Sequence, residues 1–251
     1  MIQIIPVLGL LEIRAGDDIA EMLVEHLTNE KMEFYTGDVL VVTQKIVSKA
    51  ENRFIDLATI IPSTEAVTLS AEVNKDAALV ELVLRESSAI VRKAANVLIT
   101  RHRLGHVMAN AGIDASNIGA GNSGKVLLLP QDPDASAARI ADVCERGFGF
   151  RPGVVISDSF GRPWRIGTTN VAIGVADMPV LLDERGTPDR DGRALQATQI
   201  ALADAVAGAA GLAMGEGSQG IPVCIVRGLD VRGDAQTSQA IVRPEAEDLF
   251  R

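Results

Sequence analysis

Asp158 stands two residues beyond an unbroken apolar run, Val154, Val155 and Ile156, with a serine on either side and Arg162 and Arg165 close behind. A β-branched run of this kind is the edge of a buried sheet. The sequence therefore predicts a strand that ends at Ile156 and presents Ser157, Asp158 and Ser159 at its tip. A carboxylate placed there either caps its own turn through a local backbone N–H or holds something positive. A second polar cluster, Asp114, Ser116 and Asn117, follows the apolar stretch HVMANAGI and by itself reads as a turn. If Asp114 and Asp158 converge, two carboxylates and a third oxygen are what Mg2+ or Mn2+ takes, with water and substrate phosphates completing the octahedron. The third candidate is GEGSQG, residues 215–220, where Glu216 and Gln219 sit among three glycines. A helix C-cap needs one glycine. The surplus points to a loop whose backbone N–H groups approach an anion, with positive φ expected at Gly215, Gly217 and Gly220.

Other motifs fail on chemistry. GAGNSGKV, residues 119–126, has Lys125 after Gly124, but Val126 stands where a phosphate loop needs Ser or Thr, and the chain enters a strand rather than a helix. A dehalogenase-type phosphatase needs an acid two residues after its strand-end Asp, and here that residue is Phe160. His102 and His106 lack the intervening Glu of a zinc helix, and we expect them on the surface or in a structural role. Cys144 and Cys224 have no CxxC partner and read as reduced core thiols.

The elements that must position these groups alternate. IQIIPV is a strand stopped by Pro6 and Gly9, and Asp17 and Asp18 open an amphipathic helix through Leu27. VLVVTQKIVSK, residues 39–49, reads as one long β-branched strand after the Gly37-Asp38 turn. Residues 71–95 carry helical spacing for two short helices. NVLITRHRLGHVMANAG reads as a hairpin turning at Gly105. KVLLLPQDPDASAARIADVCERGFG is a strand and a proline turn, then a helix entered through Asp134 and Ser136. VAIGVA and PVLL are short strands. A charged, glycine-rich loop then precedes an Ala-rich helix from about Ala194 to Met214, whose small residues allow another element to pack very close. IPVCIVRGL is the last strong strand. The fold class is α/β of the α+β type, mixed sheets with flanking helices, as one unit over 1–251 in two interlocked subdomains without an assignable boundary.

The chain has 251 residues and a net charge of −9, which argues against a nucleic-acid phosphate binder. One Trp, one Tyr and six Phe leave little material for base stacking. No apolar stretch is long enough to span a membrane. Met1 leads into IQIIPVLGL without a basic n-region, so the expectation is a cytoplasmic protein.

PVLGL, GDVLVVTQKIVSKAENR, NAGIDASN, LPQDPDASA, ISDSFGRPWR, VAIG, MGEGSQGIPVCIVRG and RPEAEDLF occur in that order over essentially the whole chain. Together they resemble the gamma-glutamyl ligases that elongate the tail of the deazaflavin coenzyme F420. The resemblance implies a GTP-dependent amide-bond ligase joining L-glutamate to a deazaflavin-type carboxylate acceptor. It also implies two divalent cations (Mg2+ or Mn2+), stimulation by K+, a homodimer and a fold largely its own. By motif, Asp114, Asp158, Ser159 and Glu216 resemble metal-ligand positions. Leu10, Thr43, Gln44, Lys49, Asn117 and the loop Met214, Gly215, Glu216, Gly217, Ser218, Gln219, Gly220 and Ile221 resemble the nucleotide site. In such a ligase Lys49 is the candidate phosphate clamp, the alternative being a solvated lysine, and Asp158 is the second catalytic candidate. The sequence departs from the family in DERGTPDRDGRA, residues 183–194. There Glu184, Asp191 and Ala194 stand where many relatives have Trp, Tyr and Glu. Losing two aromatics removes stacking surface for a ligand ring, which leaves open a glutamyl ligase for another acceptor or a silent GTP- and metal-binding homologue.

Overall fold

Apolar runs as dense as VLVVT and VVI are buried on both faces, and the computed structural model, which describes residues 1–119, 121–229 and 233–248, places them in one mixed sheet. Its order is β1 (Gln3–Pro6), β12 (Val223–Arg227), β2 (Val39–Thr43), β8 (Gly153–Arg162), β9 (Arg165–Ala176). Only β2 and β8 run parallel; the other pairs are antiparallel. Helices α1 (Ile19–Asn29) and α5 (Pro133–Phe148) cover one face through a cluster that includes Leu23, Leu27, Ile140 and Cys144. Helix α6 (Leu202–Met214) covers the other through Ala203, Ala207 and Ala210, against Val41, Val155 and Cys224. A third cluster lies within residues 66–128. It joins α3 (Thr64–Val73) and α4 (Ala77–Arg85) to the hairpin β4–β5–β6 (Ser87–Ala94, Val97–His102, Val107–Ala109) and the pair β3 (Phe54–Asp56) with β7 (Lys125–Leu127). The architecture is α+β with mixed sheets. Both cysteines are buried, and burial holds both thiols above the usual range. No helix among the described residues is long and apolar enough to cross a membrane.

The structure differs from the sequence expectations at several places. Residues 39–49 are not one strand: β2 stops at Thr43 and α2 (Gln44–Ala50) follows. Thr43 donates its N–H to Pro222, which has no N–H to return, so the ladder ends there. Residues 87–94 form β4 rather than a second helix, because Asn96 (φ +64°) closes a tight turn that pairs them with β5. α5 is capped by Asp132. Asp134 instead accepts from the backbone N–H of Val175 and from Ser238, whose N–H and hydroxyl both donate. α6 begins at Leu202, not Ala194, because β10 (Leu181–Asp183) and β11 (Gln199–Ala201) pair and hold the segment between them as an exposed arm. His102 and His106 are buried, which leaves the structural one of the two roles expected for them. Leu249 and Phe250 of the RPEAEDLF motif and Ala120 of the 119–126 loop lie outside the described residues.

Candidate active site

The sheet brings distant loops to one edge. β2 pairs with β8 on one side and β12 on the other, and the Val7 N–H reaches the Val223 carbonyl. The segment after β1, the start of α2 and the loop entering β12 therefore meet beside residues 157–159 of β8. They line a cavity of about 550 Å3.

β8 does not end at Ile156. A bulge after Ile156 shifts its register with β9, and the strand runs on as a hairpin to Arg162, so Asp158 pairs with Val171 and Ser159 with Asn170. Neighbouring strand residues lean to opposite faces. Asp158 and Ser159 thus reach the cavity from either side of β8.

In α2, Lys45 and Lys49 are four apart and share a face. Lys45 Nζ pairs with Asp114 Oδ2 and lies 3.4 Å from Ser116 Oγ. Ser116 donates both its N–H and its hydroxyl to Asp114, at 2.8 and 2.9 Å. Burial pushes the Asp114 carboxyl up, but Lys45 and Ser116 outweigh it and hold the group below the usual range. Lys49 is buried rather than solvated, 2.6 Å from Glu12 Oε1. Asp158 has no ion-pair partner among the described residues. Burial raises its carboxyl to about 6 against the Ser159 N–H, the more distant Lys45 charge and a hydrogen bond from Gln44, and Asp114 adds to the rise.

Of the residues singled out from sequence, Leu10, Thr43, Lys49, Asp114, Asn117, Asp158, Ser159, Met214, Gly215, Glu216, Gly217, Ser218, Gly220 and Ile221 line this one cavity. Gln44 and Gln219 stand behind it. Gln44 is buried and accepts from Ser48, while Gln219 folds back to accept the Gly217 N–H. Gly215 and Gly220 have the expected positive φ, and Gly217 does not. Asn117 donates to the Gly217 carbonyl at 3.3 Å and ties two walls together. Lys45, Glu12 and Asn170 also line the cavity and escaped the sequence reading. Helical spacing to Lys49 was the signal that reading 39–49 as a strand hid.

No group of three His, Cys, Asp or Glu among the described residues is close enough to hold an ion by itself. The donor set nevertheless fits Mg2+ or Mn2+, which bind one or two carboxylates and leave the rest to waters and phosphates. Asp158, desolvated and lacking a paired cation, is the carboxylate that a cation would relieve. Residues 183–194 do not line the cavity. They form a self-contained turn in which Asp189 accepts from Asp191 and Arg193 N–H groups.

A polar cavity built at a sheet edge, with two lysines and desolvated carboxylates, suits an amide-bond-forming ligase, and the comparisons place the chain in that class. Residues 8–228 match the family described as F420-0:Gamma-glutamyl ligase, and the chain belongs to this family. It is 40% identical to the Coenzyme F420:L-glutamate ligase of Methanothermobacter thermautotrophicus over 253 residues, covering 100% of this chain and 99% of that protein. The proteins of the same name from Methanocaldococcus jannaschii and Haloarcula marismortui are 42% and 38% identical, over 86% and 99% of this chain and 85% and 95% of their own.

Proposed function

We propose that this chain adds L-glutamate to the coenzyme F420 precursor F420-0 at the expense of GTP, through an acyl phosphate. The observation that carries the reading is Asp158, a desolvated carboxylate without a counter-charge, facing a cavity with two lysines and a glycine-rich loop. A carboxylate is a poor electrophile. The acceptor carboxylate takes the γ-phosphoryl group, the glutamate α-amine attacks the acyl carbon, and phosphate leaves. Transfer to an anion demands charge neutralisation and positioning more than a protein nucleophile. Lys49, held by Glu12, and Lys45 supply fixed positive charge, and the N–H groups of the 215–220 loop approach phosphate oxygens. Two divalent cations, when bound, neutralise phosphoryl oxygens, and Asp114, Asp158, Ser159 and Glu216 are the residues that would hold them. Leu10, Met214 and Ile221 limit water near the reactive acyl phosphate.

The test is a turnover assay with GTP, Mn2+, K+, L-glutamate and F420-0, following GDP and glutamylated product. Coupled formation of both is expected. The altered 183–194 segment favours a second reading, a different carboxylate acceptor, which predicts GDP release only when another acid replaces F420-0. The homodimer belongs to the same proposal and is checked by light scattering.

A further inference from the structure

Helix α6 carries Gly208 and Gly211 among alanines, on the side that meets β9. Glycine costs an exposed helix interior up to about 1 kcal/mol relative to alanine, so its presence here asks for a reason. At Gly211 the reason is one side chain. A Cβ built there would lie 2.0 Å from Asn170 Oδ1 and 2.6 Å from its Cγ, while no backbone atom is that near. Asn170 sits directly opposite Ser159 in the β8–β9 ladder and lines the cavity. Among the described residues its amide group has no hydrogen-bond partner. With the oxygen turned against the helix, the amide nitrogen is the group left for the cavity. An N–H2 group in that place is a donor; it can hold an acceptor oxygen, and holds a charged one most strongly.

We infer that Asn170 is a further binding residue of the site, resting on the ligase reading above. It donates to an oxygen of the phosphoryl group in transfer, and Gly211 is glycine so that the Asn170 amide can stand in this position. No proton or electron moves at Asn170; it orients the group and offsets its charge.

The experiment compares GTPγS and GDP affinities by calorimetry with Mn2+ present, for wild type, N170A, G211A and the double variant. N170A should weaken GTPγS roughly tenfold or more, the usual loss of a hydrogen bond to a charged group, and leave GDP within about threefold. G211A should fold, since the three atoms nearest its Cβ all belong to the Asn170 side chain and none to backbone, and should reproduce the N170A pattern. In the double variant the two losses should not add. N170S, which restores a donor, should recover part of the GTPγS affinity. Equal losses for both nucleotides with a lowered Tm, additive losses, or an N170A indistinguishable from wild type would each overturn the assignment while leaving the ligase reading standing. A wild-type chain that binds neither nucleotide overturns both. One that binds GTPγS but makes no glutamylated product overturns the ligase reading alone.

Discussion

Glu86 and Asp158 are both withdrawn from water, and the fold treats them in opposite ways. Glu86 lies between Arg53 at 3.2 Å, Arg103 at 3.3 Å and the His102 imidazole at 3.5 Å. The His102 contact, helped by the two arginines and opposed by burial, keeps its carboxyl below the usual range. Asp158 has a backbone N–H, an amide and a lysine at a distance, and burial pushes it up to about 6. The first carboxylate is saturated and joins β4, β5 and the residues around Leu129. The second is left short of positive charge at a cavity wall. The chain supplies Glu86 with its cations and, among the described residues, leaves Asp158 without a paired one.

Substitutions at the two acids should separate. Asp158→Asn is expected to lower metal-dependent turnover by at least about a hundredfold, the loss typical of one electrostatic group in a phosphoryl site, with an unchanged or higher Tm. Near-normal turnover of the folded variant would reduce Asp158 to a local cap. Glu86→Ala strands several cations, and about 3 kcal/mol of stability should go. That amounts to a Tm lower by roughly 6–12 °C for a chain of this size, while the folded fraction keeps its kinetic constants. If the Tm effects were reversed, the contrast would be wrong.

His106 tests the boundary between the two regions, since its ring packs edge-on against Phe160, two residues beyond Asp158, and its chain neighbour across the turn is His102. Burial, with His102 beside it, takes its pKa from 6.5 down to about 4. The folded state therefore binds fewer protons than the unfolded one between these values. Stability is complete above pH 6.5 and falls as the pH drops toward 4, by about 3 kcal/mol at most. His106→Gln should flatten that part of a urea-midpoint profile, and an unaltered slope would place the effect elsewhere.

The smallest effect concerns backbone strain on the cavity side. Asn110, Ala111 and Gly112 all have positive φ, just before Asp114 turns back to pair with Leu127. Ala111→Gly relieves roughly 1–2 kcal/mol of left-handed cost, loses about 0.8 kcal/mol of methyl burial and gains unfolded-state entropy of 0.4–1 kcal/mol or so. Near-neutrality is expected, against about 2 kcal/mol lost for Ala137→Gly in α5, which is equally buried but right-handed. Equal losses in urea unfolding would remove strain from the account.

Much of the candidate site was legible because its residues cluster locally. The Asp114 turn, the loop after α6 and the short apolar strands show in residue type alone. What was hidden depends on partners far along the chain. β2 yields to α2 because Pro222 cannot donate, and only that switch puts Lys45 and Lys49 on one face. Asp158 reads as a strand tip until β9 pairs beside it. Asn170 has no local signal; its cue is a glycine in a distant helix. Gln44 and Gln219 stand behind the cavity rather than in its lining, and nothing in their type told the one from the other.

The sheet order also governs how the chain can be made. β12 lies between β1 and β2, yet 180 residues separate Thr43 from Val223. At the usual pace of synthesis, β2 emerges roughly 10 to 40 s before the strand that covers its open side. During that interval VLVVT presents an apolar edge able to pair with another chain. Crowded synthesis at high temperature is where such an edge does harm, and yield of soluble protein should respond to translation speed and to holding chaperones more than to substitutions in the cavity.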